Sequence, residues 1–331
     1  MFIKNFQILF SSLLFLGSLI AISSNSWFTC WLGLEINLMS MIPLMLINST
    51  TLATEAAIKY FLAQALASIM LIFSMVLNLF FSQQLNLEMT EIFIFLALIM
   101  KAGLAPLHFW FPQVSANLKW LQCLILFTWQ KVAPLLLLCS FSFNFIMAVS
   151  MTSALAGALG GLNQTVLKLM LTYSSISHGG WMLMNCFTNF KSWVVYFSIY
   201  TFLSFSIISF FVKNKIYKIS NIFSNSDSYI NKMIIIMNIF SLGGLPPLLG
   251  FTAKLSVILT VLKLDLILVF FILILSSIIS LFYYTRITYS NMMNLNSKLM
   301  FNPINQQKSG LIFHTMSVAL NISAPFIFIL F

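Results

Sequence analysis

Apolar runs follow one another along almost the whole chain, separated by short polar stretches, and none alternates with the period of a strand. They predict eleven membrane-spanning helices at 5–24, 27–47, 54–81, 90–117, 121–141, 143–161, 165–187, 192–213, 231–262, 265–289 and 311–330. Each run has about the 20 residues that a helix needs to cross hydrocarbon. The runs at 90–117 and 231–262 are interrupted by Gly and Pro. The opening MFIKNFQILFSSLLFLGSLIAISSNSW has the lysine and apolar stretch of a signal peptide, with Ala21, Ser23 and Ser24 near a cleavage-like position. The next run starts almost at once, so a retained first span is expected.

The two interruptions echo each other. Gly103-Leu104-Ala105-Pro106-Leu107 recurs as Gly244-Leu245-Pro246-Pro247-Leu248, with Lys101 just before the first and Lys254 shortly after the second. Proline removes a backbone donor, and in hydrocarbon the freed groups must be satisfied by protein or by a wet cavity. Paired broken segments mark the transport site in many repeat-built transporters. The expected fold is an all-α integral membrane protein forming one domain over 1–331. It has two five-helix inverted repeats, about 5–141 and 143–289, and one extra helix at about 311–330. The stretches 214–230 and 290–310, rich in Asn, Ser and Lys, are expected to be solvated connections.

Composition excludes a soluble domain. The 331 residues are 60% hydrophobic and 7% charged, against about 25% charged in a typical soluble protein. Thirty-five Phe and nineteen Met are read as lipid-facing and packing residues. The cysteines Cys30, Cys123, Cys139 and Cys186 lack the spacing of a metal site. With eleven spans, Lys4, Lys119, Lys213, Lys215, Lys218, Lys232, Arg286, Lys298 and Lys308 fall on the N-terminal side, and Lys191 and Lys263 on the other. The imbalance places the N-terminus on the matrix or cytoplasmic face.

The charges left inside the runs are the chemistry-bearing candidates: Glu35, Lys101, Lys131, Lys168 and Lys254. Each lysine would cost roughly 2.5–3.5 kcal/mol if it faced lipid, so an interior position is expected. A lysine whose contact with a carboxylate can be made and broken can load and release a proton. Glu35 and Lys101 are the candidate pair. A purely structural ion pair would have the same signature in sequence. His108 follows the first interruption and could either satisfy freed backbone groups or relay a proton. His178 lies among Ser174, Ser175 and Ser177, a polar stripe that could hold water or join helices. His314 opens the last span and is expected at the interface. Gly157, Gly160 and Gly161 are read as a close helix contact. Glu55 and Lys59 stand at i,i+4 spacing after Thr54, the expected cap. No phosphate loop, dinucleotide fingerprint or zinc-protease motif is present, and nothing points to nucleic acid.

WLGLEIN, TEAAIKYFLAQA, KAGLAPLHFWFP, TWQKVAP, GGLNQT, YSSISHGGW and SLGGLPPLLGFTAK occur in this order across most of the chain. In them the sequence resembles the mitochondrially encoded, antiporter-like chain 2 subunits of NADH-ubiquinone oxidoreductase, respiratory complex I. The eleven-span count is similar to the animal form, which lacks three N-terminal helices of the bacterial relatives. The resemblance implies proton translocation across the inner mitochondrial membrane, with Glu35 paired to Lys101 and with Lys131 and Lys254 continuing the charged midplane. His178 falls in the family's serine- and histidine-containing stretch, which implies a hydrated link to the proton route, while Lys168 and His108 stand as candidates by their positions alone. The resemblance also implies neighbouring antiporter-like and small membrane subunits as partners, together with phospholipid, cardiolipin included. No flavin, iron–sulfur or quinone ligand pattern is present; NADH, FMN, iron–sulfur clusters and ubiquinone are expected elsewhere in the complex. One departure is that Lys168 is followed by Leu169, where the family usually has adjacent basic residues. Competing readings are a stand-alone cation/proton antiporter and a non-pumping scaffold.

Overall fold

The computed structural model describes residues 2–47, 50–81, 87–219, 229–295 and Asn321. The expected last span at 311–330 with His314, and most of the two polar stretches, lie outside them. Thirteen helices are found among the described residues. They are α1 (Phe2–Ser23), α2 (Trp27–Met45), α3 (Thr51–Phe81), α4 (Leu87–Ala102), α5 (Trp110–Asn117), α6 (Trp120–Phe127) and α7 (Trp129–Leu138). Then follow α8 (Phe143–Gly161), α9 (Leu167–Thr188), α10 (Phe190–Asn214), α11 (Tyr229–Gly243), α12 (Leu249–Lys263) and α13 (Ile267–Leu295). Seven stretches among these residues are long and apolar enough to cross a membrane, one of them α6 and α7 taken together. The two broken pairs, α4/α5 and α11/α12, consist of shorter pieces. Helix α9 is 22 residues long but carries Lys168, three serines and His178, which lower its hydropathy.

The chain divides into two compact units, Met1–Ser153 and Ala154–Phe331. In the first, α1 and α2 meet backbone to backbone: a Cβ on Gly33 would lie 2.5 Å from the amide nitrogen of Ala21. Small residues permit this approach where a bilayer offers no hydrophobic drive between helices. Trp129 Nε1 on α7 donates to Ser18 Oγ on α1 at 3.1 Å. Gln122 Nε2 on α6 donates to the carbonyls of Leu44 and Met45 at 2.7 and 3.0 Å. It thereby caps the C-terminus of α2, whose last carbonyls have no partner within the helix. The N-terminus of α3 is capped by Thr50, whose Oγ1 accepts from the Ala53 amide at 3.3 Å. Thr54, the expected cap, lies inside the helix, its hydroxyl spent on the carbonyl of Thr51. The Glu55–Lys59 ion pair forms in this first part of α3.

In the second unit α9 is the interior helix, buried from Leu167 to Cys186 at all but two positions. The expected close contact of the glycine run is present: a Cβ on Gly157 would lie 2.4 Å from the Ser177 amide nitrogen. Gly160 faces the ring of Tyr173 and Gly161 that of Tyr283. The turn before α9 is held by an antiparallel bridge between Val166 and Lys218. Arg286 on α13 also donates to the Gln164 carbonyl at 2.9 Å. In both units, exposed side chains such as Leu19, Leu62, Leu66, Ile69, Leu268, Phe271 and Phe282 form apolar outer faces.

Candidate functional site: two broken helices with buried lysines

The first break runs from Ala102 to Trp110. Gly103 has φ +67°, in the left-handed region where a side chain costs about 1–2 kcal/mol. The Ala105–Pro106 peptide bond is cis. The break frees carbonyls at the end of α4, and neighbouring side chains take them. Trp110 Nε1 donates to Met100 O at 3.0 Å, and Gln64 Nε2 on α3 donates to Lys101 O at 3.4 Å. His108 Nδ1 donates to Pro106 O at 3.3 Å while its ring stacks on Phe109. Its observed contact is therefore with the freed backbone.

Lys101 is 5% exposed, and its Nζ has no hydrogen-bond partner among the described residues. Glu35 lies half-buried on α2. It acts electrostatically on the Lys101 amine, but the two do not form an ion pair within 4.0 Å. The carboxylate acts on Tyr60 as well, which belongs to a polar chain across three helices. Gln130 Nε2 donates to Asn37 Oδ1 at 3.0 Å, and Tyr60 Oη donates to Gln130 Oε1 at 3.4 Å.

Lys131 is 1% exposed, and its Nζ lies 5.0 Å from the centroid of the Phe111 ring. The same ring lies against the break, since a Cβ on Gly103 would meet it at 3.1 Å. Phe111 is thus an aromatic plate touching both the break and the second lysine. An ammonium over such a ring face is attracted by the ring quadrupole.

At the second break, from Gly244 to Leu248, the same motif is satisfied differently. Gly244 has φ +83°, and Pro246–Pro247 is cis. Here the lysine itself takes a freed carbonyl: Lys254 Nζ donates to Gly243 O at 2.8 Å. Its stem runs along Gly244, where an added Cβ would lie 2.9 Å from Lys254 Cδ and 3.2 Å from Nζ. Trp181 lies beyond the amine, its ring centroid 5.8 Å from Nζ. Lys254 is therefore tied to its break, whereas the amine of Lys101 makes no hydrogen bond to the described residues at its own.

His178 is buried on α9, with Nδ1 2.9 Å from Tyr196 Oη and its ring 5.2 Å from that of Tyr200. Ser174, Ser175 and Ser177 donate their hydroxyl protons to carbonyls of their own helix. Their oxygens remain acceptors only, and the polar stripe is less available than its sequence suggests. A small cavity of about 10 Å³ touches His178, Tyr196, Ser241 and Gly250 and thus adjoins the second break. It is about the size that one water needs. Lys168 is buried at the start of α9, its Nζ 5.3 Å from the Tyr217 ring centroid.

Each unit therefore gathers its own set: Glu35, Lys101, Lys131 and His108 in the first, Lys168, His178 and Lys254 in the second. Sequence reasoning missed Gln64, Trp110, Phe111, Trp181 and Tyr196. Each belongs to a common membrane residue type and lies far in sequence from the group it serves, apart from Trp110.

The family model described as NADH:quinone oxidoreductase/Mrp antiporter, TM, matches residues 24–280. The chain is 43% identical over 321 residues to NADH-ubiquinone oxidoreductase chain 2 of Anopheles gambiae, with 94% of each chain covered. It is 43% identical over 314 residues to the chain of the same name from Aedes aegypti, with 92% of each covered. Among solved structures, a chain of respiratory complex I from Thermus thermophilus with bound aureothin is similar with a TM-score of 0.82 at 21% identity. That likeness covers 98% of this chain and 79% of the other; at this identity it speaks for the fold alone.

Proposed function

The chain belongs to the NADH-ubiquinone oxidoreductase chain 2 family, and from that premise we propose that it moves protons within the membrane arm of respiratory complex I. Its place is the inner mitochondrial membrane, as a multi-pass subunit with the N-terminus on the matrix side, in contact with other membrane-arm subunits and with phospholipid such as cardiolipin. NADH, FMN, iron–sulfur clusters and ubiquinone are held by other subunits; this chain carries no redox centre. The helices complete eleven spans in two inverted repeats and one further helix, each repeat containing one broken span.

The observation that carries the reading is that each break adjoins a buried lysine amine, in two different states of engagement. Lys254 holds the Gly243 carbonyl, and the Lys101 amine has no hydrogen-bond partner among the described residues. A proton on Lys254 favours the amine–carbonyl contact, because charge-assisted hydrogen bonds are the stronger kind. Removing that proton weakens the contact and frees the stem to swing. At Lys101, movement of the Glu35 carboxylate towards or away from the amine changes how firmly the proton is held. Electron transfer elsewhere in the complex drives the cycle by biasing these two arrangements, a coupling between distant sites. Lys131, with Phe111 between it and the first break, continues the first unit's route, and His178 beside the second break supplies a hydrated step. Lys168 contributes a fixed positive charge at the head of α9.

The reading is tested by an experimental map of the assembled complex at a resolution that locates water. Ordered water reaching Lys101, Lys131 and Lys254 from either face supports it. Dry apolar packing around all three would favour a scaffold whose lysines are idle.

A further inference from the structure

A second polar cavity lies away from both breaks, at one end of the first unit. It measures about 180 Å³ and is lined by Trp27, Asn78, Thr90, Glu91, Ile94, Ser140 and Phe141. This far exceeds the roughly 10–15 Å³ that a single water needs. The lining comes from the start of α2, the last turns of α3, the first turns of α4 and the turn after α7. Glu55 and Lys59 mark the opposite end of α3. Asn78 is 23 residues beyond Glu55, about 35 Å along a helix and so a full bilayer thickness away. The cavity therefore lies at a membrane–water interface, at the end of α3 away from Glu55 and Lys59.

Its chemistry selects a ligand class. The rim carries the carboxylate of Glu91, and among the described residues no lysine, arginine or histidine lines the space. Glu91 is exposed and makes no ion pair within 4.0 Å. An anion is disfavoured here and a cation is not. The inner wall is aromatic and fixed: Phe141 is buried, its ring 5.9 Å from Trp27 and 5.4 Å from Phe95. A metal ion would use only the oxygens of Asn78, Thr90, Glu91 and Ser140 and leave the aromatic wall without a part. An alkylammonium group, by contrast, uses both a carboxylate and aromatic faces.

We propose that this cavity binds an alkylammonium group, and its height at the interface points to the ethanolamine or choline headgroup of a phospholipid. The ammonium lies between Glu91 and the Trp27–Phe141 wall. The Asn78 amide is placed to donate to the phosphate that follows it.

The test uses the purified complex containing this chain, in vesicles of phosphatidylglycerol doped with a phosphatidylethanolamine whose headgroup carries a photoactivatable diazirine. Labelling of α2 or α4 near Trp27 and Glu91 is expected. It should fall about tenfold in Glu91→Gln, the effect of losing a charged partner, and severalfold in Trp27→Leu. A matching phosphatidylglycerol probe should not label there. If a soluble diazirine ammonium labels and the lipid probe does not, the site takes a free amine; labelling by the lipid probe assigns it to the headgroup. Either result upholds an ammonium site. Equal labelling by the anionic probe, no labelling by either ammonium probe, or unchanged labelling in Glu91→Gln overturns it. Should Glu91→Gln fail to assemble, Trp27→Phe against Trp27→Leu carries the same test: equal labelling in the two overturns the site.

Discussion

Replacing Gly244 by alanine separates the function of the second break from its mere presence. The glycine has φ +83°, so any Cβ there costs about 1–2 kcal/mol in backbone strain. The new methyl would also stand 2.9 Å from Lys254 Cδ and 3.2 Å from Nζ, so the end of the lysine must shift, at most as far as losing the Gly243 carbonyl. A hydrogen bond to a charged group contributes about 1.5–3 kcal/mol. With that bond lost in full the total is about 2.5–5 kcal/mol, of which the larger share falls on the lysine contact. Gly103→Ala is the matched control. Its φ of +67° gives similar strain, but its Cβ meets the Phe111 ring at 3.1 Å and no lysine. The assay is acidification of proteoliposomes by the reconstituted complex per NADH oxidised, at equal complex content. Gly244→Ala should lose about tenfold or more in proton pumping, the factor that corresponds to about 1.4 kcal/mol. Gly103→Ala should chiefly lower the amount of assembled complex. Normal pumping by Gly244→Ala, or an equal loss per assembled complex in both variants, would refute the role given to the Lys254–Gly243 contact.

Further outcomes follow from the same contacts. Trp110→Phe removes one of the two donors to Met100 O, the Gly103 amide remaining at 3.2 Å, a loss of about 0.5–1.5 kcal/mol. It should lower the temperature at which the complex dissociates on a native gel. Tyr196→Phe removes a hydrogen-bond partner of His178 and should reduce pumping up to about tenfold with assembly intact, while Tyr200→Phe, whose ring adjoins His178, should have less effect. Gly250→Ala should prevent assembly, because its Cβ would lie 1.6 Å from the Ser241 carbonyl oxygen; blue-native electrophoresis would reveal a stable complex if this packing were wrong.

Much of this architecture was legible because charge and helix breakers are rare in a chain with 7% charged residues. A lysine in an apolar run, or a Gly with a Pro two or three residues after it, stands out without knowledge of what surrounds it. The breaks at 103–109 and 244–248 and the buried state of Lys101, Lys131 and Lys254 follow from that rarity. What satisfies each break was not legible. Gln64 and Trp110 serve the first break and Lys254 the second, although the two motifs look alike, because the choice depends on which side chains the neighbouring helices bring within 3.5 Å. Phe111 reaches Lys131 across 20 positions of sequence and is one of thirty-five Phe residues, so nothing marked it out. The cap at Thr50 rather than Thr54 reflects a helix that starts three residues earlier than its apolar run. The serines beside His178 looked like a water-holding stripe, but their donors close on their own helix, a competition that local sequence alone does not resolve.

The most direct test of lysine-based proton transfer is the ratio of protons moved to electrons transferred in the reconstituted complex carrying Lys101→Ala. A normally assembled complex whose proton yield per NADH collapses is the expected result. An unchanged ratio in that assembled variant would contradict the proposal, because the buried amine beside the first break would then have no part in moving protons.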